Sequence, residues 1–179
     1  MIRIISGIHK GRRIRAPHNL PVRPTTDFAK ESLFNILVNH FDLEEVKALD
    51  LFSGTGAIAY ELASRGCPDV TAVDSDIRCW KFIRETIEAL DLGEQMRVLK
   101  ANAYTFLKET TEKYDLIFAD PPFSEKRTHE IPALVFERKL LKPGGRLVVE
   151  HPAKPGLPAT EGFLEKRTYG NVNFSIFGA

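Results

Sequence analysis

Between Val46 and Glu150, short runs dominated by apolar residues alternate with longer runs in which apolar residues recur every three or four positions. The short runs are VKALDLF (46–52), DVTAVD (69–74), MRVLKA (96–101), YDLIFA (114–119) and RLVVE (146–150). Their length, their β-branched content and the Gly, Pro, Asp or Asn around them predict strands. The longer runs predict helices over AIAYELASRG (57–66, ended by Gly66), Asp76 to Leu90, and AYTFLKETT (103–111). Near-continuous apolar strands separated by helices predict a parallel sheet covered on both faces.

The two ends of the chain follow other patterns. RIISG (3–7) and GRRIRAP (11–17) predict two short strands joined through Ile8 to Lys10. The Pro-rich connection NLPVRPTTD (19–27) ends on Thr26 and Asp27, residues suited to capping a helix N-terminus. In the helix that follows (28–41), Phe28, Leu33, Phe34, Leu37, Val38 and Phe41 fall mostly on one face and are expected to pack. After a turn at KPGG (142–145) and the loop HPAKPGLPAT (151–160), EKRTYG and VNFSIFG flank the link Gly170-Asn171 and predict an antiparallel hairpin. The expected fold is α/β and Rossmann-like. Residues 1–26 form a basic hairpin and linker, and 27–179 form the main domain.

Composition narrows the class. A chain of 179 residues with 43% hydrophobic and 27% charged residues suits one globular domain. No apolar run is long enough for a membrane span, and the N-terminus lacks the apolar stretch of a signal peptide. The two cysteines, Cys67 and Cys79, form no CxxC pair, so reduced thiols, a cytoplasmic setting and no metal are expected. Net charge is +1, yet Arg3, Lys10, Arg12, Arg13, Arg15, Arg23 and Lys30 crowd the first thirty residues against Asp27 alone. Such a cluster is either a solvated arm or a phosphate-contacting appendage.

In open α/β sheets, ligands bind beyond the carboxyl ends of the strands. Here those ends read DLFSGTG, VDSD, KANA, ADPPF and VEHP. Gly54 and Gly56 open a helix whose amides face that rim, and Gly54-x-Gly56-x-x-Ala59 fits a dinucleotide fingerprint with Asp74 twenty residues on. Asp50 weighs against a pyrophosphate, because a carboxylate at the end of the first strand repels phosphate and favours a cation. S-adenosylmethionine has no phosphate and carries an ammonium and a sulfonium. Asp50 suits the ammonium, Asp74 the ribose hydroxyls, and the Asn102 amide with the Ala103 N–H an adenine edge.

The string Asp120-Pro121-Pro122-Phe123 stands where the fourth strand must stop. The lone pair of an aromatic amine is delocalised and weakly nucleophilic. Two acceptors against its N–H bonds, the Asp120 carboxylate and the Pro121 carbonyl, can localise it. Pro122 stiffens the peptide, and Phe123 offers a face for stacking an extruded base. On this reading Asp120 needs no unusual pKa, since a methylated cationic amine sheds its proton readily.

The DPPF string resembles the (N/D)PP(Y/F) motif of amino-group methyltransferases that use S-adenosylmethionine, and LDLFSGTGAIAYELASRG resembles their glycine loop. IRIISGIHKGRRI, VRPTTDFAKESLFNIL and ANAYTFL resemble the RsmD family, which methylates guanine N2 in 16S ribosomal RNA. The resemblance runs from Met1 to about Glu150 and implies a seven-stranded class I methyltransferase fold with an N-terminal β-hairpin. It implies cofactor contacts at Asp50, Ser53, Gly54, Gly56, Asp74, Asn102, Ala103 and Thr25, and a base held by Asp120 to Phe123. It implies RNA contacts at Lys10, Arg12, Arg13, Arg15 and Arg23, on rRNA either free or within the small subunit. The chain departs from the family at Phe28, where members commonly carry a basic residue, and near Thr86, where many carry Asn. Two other readings stay open: an adenine-N6 methyltransferase acting on DNA, and an NAD-dependent oxidoreductase or nucleotide-binding module.

Overall fold

The computed structural model describes all 179 residues. Seven strands form one sheet: β3 (Lys47–Leu51), β4 (Asp69–Asp74), β5 (Met96–Lys100), β6 (Tyr114–Ala119), β7 (Leu141–His151), β8 (Phe163–Tyr169) and β9 (Val172–Gly178). Their order is β5-β4-β3-β6-β7-β9-β8. β3 pairs in parallel with both β4 and β6, while β9 pairs antiparallel with β7 and β8. The direction of winding reverses between β3 and β6, so a crevice opens beyond their carboxyl ends.

Period-2 alternation divides the core between the two faces of the sheet. Ala48, Leu116, Phe118 and Val148 belong to a cluster of 27 buried residues that includes helices α1 (Asp27–Val38), α2 (Ala57–Ser64) and α3 (Ile77–Ala89). Leu49, Leu51, Ile117, Ala119 and Val149 belong to a second cluster of 16, on the face covered by α4 (Ala103–Glu109) and α5 (Glu130–Glu137). Asp50 alternates with Leu49 and Leu51, so it lies on the face covered by α2.

The N-terminal hairpin is shorter than the sequence suggests. β1 (Ile2–Arg3) and β2 (Arg13–Ile14) pair over two residues each. Beyond them the chain turns to α2 for its partners. Ile5 and Ser6 donate their N–H groups to the Glu61 carboxylate at 2.9 and 3.1 Å. Ile8 donates to the Ser64 carbonyl and His9 to the Ser64 hydroxyl. The approach is so close that a Cβ on Gly7 would fall 1.8 Å from the Ser64 carbonyl oxygen. The hairpin is therefore fastened to the helix that begins at the glycine turn.

Helix α1 starts where expected, with the Thr26 hydroxyl accepting from Ala29 N–H at 3.1 Å. Its buried face differs from the expected one. Leu33, Phe34 and Leu37 are buried, but Phe28 is 61% and Val38 48% exposed. Lys30 takes an interior place instead, 3.5 Å from Glu61, and donates to the Arg3 carbonyl. Arg3 pairs with Asp27 at 2.9 Å. Lys30 and Arg3 thus leave the basic arm for the structural core and its rim. A long β7 replaces the short run RLVVE: its first residue pairs with Tyr114, and KPGG forms a register shift inside it. The sequence pattern also passes over α5, whose Pro132 breaks a helical reading. Proline is tolerated there because the first helical turn has no intrahelical N–H bonds to lose.

Candidate active site

A cavity of about 480 Å³ opens at the carboxyl ends of β3, β4 and β6. Four segments and Cys79 of α3 wall it: Pro21 to Arg23 with Thr25 of the linker, the turn from Phe52 to Thr55, the end of β4 from Asp74 to Asp76, and Asp120 to Phe123. Of the residues singled out in the sequence, this cavity gathers Arg23, Thr25, Ser53, Gly54, Asp74, Asp120, Pro121, Pro122 and Phe123.

Local hydrogen bonds fix the cofactor-side wall. Ser53 locks the turn to β4: its N–H donates to the Val73 carbonyl at 3.0 Å, and its hydroxyl accepts from Val73 N–H at 3.0 Å. Asp74 accepts from Gly54 N–H at 2.8 Å and from Asp76 N–H at 2.9 Å, one bond to each oxygen. Each carboxylate oxygen retains a lone pair for a further donor. Burial raises the pKa of Asp74, against the pull of those N–H bonds. Gly56 enters α2 with φ 85°, and a Cβ there would meet the Tyr60 ring at 2.5 Å. That glycine makes room for a core tyrosine, whereas the sequence reading assigns it to ligand approach.

Asp50 stands back from the cavity wall. It is 2% exposed, its Oδ2 has no hydrogen-bond partner, and burial pushes its pKa up to about 8. Asn102 and Ala103 also lie outside the residues lining the cavity. Asn102 caps α4, its Oδ1 accepting from Tyr104 and Thr105 N–H at 3.0 and 3.1 Å. Only the Asn102 NH2 group and its backbone then remain for another partner. Lys10, Arg12, Arg13 and Arg15 are exposed. Arg15 lines a second cavity of about 530 Å³, which runs on from the first through Val22 and Thr25.

The opposite wall holds a cluster that the sequence does not disclose. Arg23 Nη2 donates to Glu150 Oε1 at 3.0 Å and lies 3.8 Å from Asp120 Oδ1. The carbon of the same guanidinium lies over the Phe123 ring, 3.8 Å from its centroid. Glu150 is 4% exposed and lines a third cavity of about 510 Å³, which shares Pro121, Pro122 and Phe123 with the first. Burial, and then the neighbouring Glu150 carboxylate, push the Asp120 pKa well above the usual range, with Arg23 opposing. Burial also raises Glu150, against Arg23 and a hydrogen bond shared with Asp120. Two carboxyls this close do not both ionise freely, so the pair holds a proton between them more tightly than either would alone. Asp120 is therefore not an ordinary carboxyl, although the clamp does not depend on its pKa. The one signal for Glu150 in the sequence is an acid closing an apolar strand, in VEHP.

The chemistry of this donor set can be weighed against possible ligands. Asp74 and Asp76 border the glycine turn in the cavity, with Asp50 buried behind it, and Arg78, which pairs with Asp76 at 2.9 Å, does not line the cavity. A pyrophosphate is disfavoured there and a cationic group is favoured.

The sheet order and its antiparallel last strands define a class I methyltransferase fold. Within that class the chain belongs to the RsmD family: the family model described as "Conserved hypothetical protein 95" matches residues 2–178. The chain is 34% identical to YlbH of Bacillus subtilis (strain 168), over 98% of each protein. It is 32% identical to the ribosomal RNA small subunit methyltransferase D of Escherichia coli (strain K12), over 98% of this chain and 89% of that one. The solved structure of yhhF from Escherichia coli superposes with a TM-score of 0.85 at 29% identity, covering 99% of this chain and 97% of that chain.

Proposed function

We propose that the protein is an S-adenosylmethionine-dependent ribosomal RNA methyltransferase that modifies the exocyclic N2 amine of a guanine in small-subunit rRNA. One observation carries the reading: the Asp120–Phe123 turn and the Asp74-braced glycine turn wall the same cavity. Relatives that bear the name ribosomal RNA small subunit methyltransferase D support the substrate class.

S-adenosylmethionine, when bound, supplies an electrophilic methyl group on a sulfonium. Asp74 accepts the ribose hydroxyls with the lone pairs that Gly54 and Asp76 leave free. Asp50 Oδ2, buried and unpartnered beneath the glycine turn, accepts from an ammonium, directly or through water, and gives up its proton as that cation arrives. Thr25 and Ser53 border the same space, and Asn102 with Ala103 stands at the end of β5 for the adenine edge. Across the cavity, Asp120 and the Pro121 carbonyl accept from the target amine and localise its lone pair, and Asp120 receives the displaced proton. Phe123 is 40% exposed and gives the extruded base a surface to stack on. Lys10, Arg12, Arg13 and Arg15 supply phosphate contacts outside the pocket. Residues 1–26 act as the RNA-facing appendage of a catalytic unit spanning 27–179, in the cytoplasm where ribosomes are made.

The test incubates the protein and labelled cofactor with small ribosomal subunits, naked ribosomal RNA or duplex DNA, followed by digestion to nucleosides. Label is expected in N2-methylguanosine. Label in N6-methyladenosine, with none in N2-methylguanosine, overturns the base assignment.

A further inference from the structure

A carboxylate-and-carbonyl clamp recognises an amine, and adenine, cytosine and guanine all present one. The groups around it narrow the choice. The Arg23 guanidinium carbon sits 3.8 Å from the centroid of the Phe123 ring, while Nη2 donates to Glu150 at 3.0 Å and lies 3.8 Å from Asp120. It is thus a planar unit of one carbon and three nitrogens, over an aromatic ring with one amino nitrogen, Nη2, facing two acids. Guanine contains the same unit fused into its ring: N1–H, C2, the N2 amine and N3. Adenine and cytosine do not, because the ring nitrogen beside their amine is an unprotonated acceptor.

We propose that Glu150 is a specificity-determining residue that accepts the N1–H of the target guanine, and that Arg23 holds the base's place on Phe123 until the base enters. This rests on the guanine-N2 reading above and extends it to the question of how the base is chosen. Arg23 is suited to yield, being on the linker with a half-exposed side chain, whereas the Glu150 side chain is 5% exposed on a central strand. No basic side chain other than Arg23 and no backbone N–H donates to Glu150, so the departure of Arg23 frees an acceptor beside Asp120. With a guanine stacked on Phe123, Glu150 meets N1–H while Asp120 and the Pro121 carbonyl meet the two N2 protons. At a pH where Glu150 is ionised, adenine or cytosine in the same pose would set a ring-nitrogen lone pair against the carboxylate, leaving a buried acceptor unpaired. That mismatch is the kind that separates substrates most strongly.

The probe is 2-aminopurine, which keeps the exocyclic amine at C2 but has no N1–H. The methylated guanosine is first mapped with the wild-type protein. Small subunits are then rebuilt around ribosomal RNA carrying either guanosine or 2-aminopurine at that position. Wild-type kcat/KM should favour guanosine by at least about 10-fold, the loss expected for one hydrogen bond to a charged acceptor. Because 2-aminopurine also lacks O6, Glu150→Gln isolates the N1 contribution. Its carboxamide can offer oxygen to N1–H or an N–H to bare N1, so the guanosine preference should narrow by at least about 5-fold. Affinity for S-adenosylhomocysteine, read by calorimetry, should stay within about 2-fold and reports on folding. A wild-type protein that methylates both RNAs equally well overturns the proposal without any variant. So does a Gln variant with normal S-adenosylhomocysteine affinity and an unchanged preference. Failure of the underlying reading looks different: the unsubstituted RNA then gains no N2-methylguanosine at all.

Discussion

Two ionic clusters join the N-terminal segment to the main domain, and they are built to opposite plans. In the first, Glu61 is fully buried, and every donor around it is protein: Ile5 and Ser6 N–H, the Arg65 side chain at 3.1 Å and Lys30 at 3.5 Å. In the second, Asp120 and Glu150 share a single arginine, which is half exposed and also engaged with Phe123. The first cluster is closed, with its acceptor capacity filled from within the chain. The second carries more acid than base, and its acid pKa values are pushed up. Buried polar groups are normally satisfied, so a cluster with more acid than base at a cavity wall is a candidate place for a ligand to complete the set. Each cluster is anchored on a buried carboxylate, Glu61 in one and Glu150 in the other, and completeness of partnering separates them.

The largest expected effect tests the open cluster. Asp120→Ala should lower the methyl-transfer rate by about 10²–10⁴-fold, the range for a positioned acid–base group. Affinity for S-adenosylhomocysteine by calorimetry should hold, since Asp74 and the glycine turn are untouched. Undiminished single-turnover rates would remove Asp120 from the chemistry. The closed cluster should answer in stability. Lys30→Ala removes one of the two cations facing buried Glu61, leaving Arg65, and should cost about 2–3 kcal/mol in urea unfolding. Arg23→Ala, at the solvent-facing end of the open cluster, leaves Glu150 free to keep a proton and should cost less than about 1 kcal/mol. Equal costs would erase the distinction.

The same contrast explains what the sequence discloses. The five parallel strands and the rim at their carboxyl ends are legible because alternation and strand-end chemistry are local signals, complete within a few residues. Asp74, Gly54 and the Asp120–Phe123 string stand out for that reason. Neither cluster is legible, because each depends on partners far apart in the chain. Glu61 looks like a polar position on α2 until Ile5 and Ser6 arrive from 56 and 55 residues away. Glu150 gains meaning only when Arg23 reaches it across 127 residues. Lys30 groups with the basic arm in the sequence because sequence records charge without recording burial. Phe28 falls on the expected packed face for the complementary reason: its hydrophobicity is visible, while the priority of the Lys30–Glu61 pair is not. Gly56 shows the same limit within a motif, since the residue type is right and its neighbour, Tyr60, is hidden until the chain folds.

A smaller effect concerns pH and extends the comparison to Asp50, the most enclosed of the rim acids. Below about pH 4, Asp50 is protonated in both the folded and the unfolded chain, and its burial costs nothing electrostatic. As pH rises, the unfolded chain ionises first, while the folded chain keeps its proton to about pH 8. Stability is therefore lost across that window, and the loss is complete above it. Asp50→Asn removes the penalty. In protein without cofactor, the variant should be more stable than the parent by more than about 1 kcal/mol at pH 8, with the gap closing towards pH 4. The same change should weaken S-adenosylmethionine binding. A parent that is the more stable protein at pH 8 would place Asp50 with Glu61, among acids satisfied from within.

The smallest effect separates both clusters from the basic hairpin. Lys10, Arg12, Arg13 and Arg15 are exposed and make no ion pair within the chain, in contrast to Arg3 and Lys30. Charges of this kind add little to folding and act on a polyanion through screened, additive attraction. The backbone that carries them is nevertheless fixed, because Ile5, Ser6, Ile8 and His9 are bonded to Glu61 and Ser64 of α2. Arg12→Glu with Arg13→Glu should therefore leave urea unfolding within about 0.5 kcal/mol of the parent. Binding to small-subunit RNA should weaken, and the slope of log affinity against log salt should become shallower by about 1 for each phosphate that is no longer neutralised. An unchanged slope would make the hairpin a solvated arm held against α2 for structural reasons alone. A shallower slope with unchanged stability would show that α2 links two functions, opening at the glycine turn and ending at a platform for RNA.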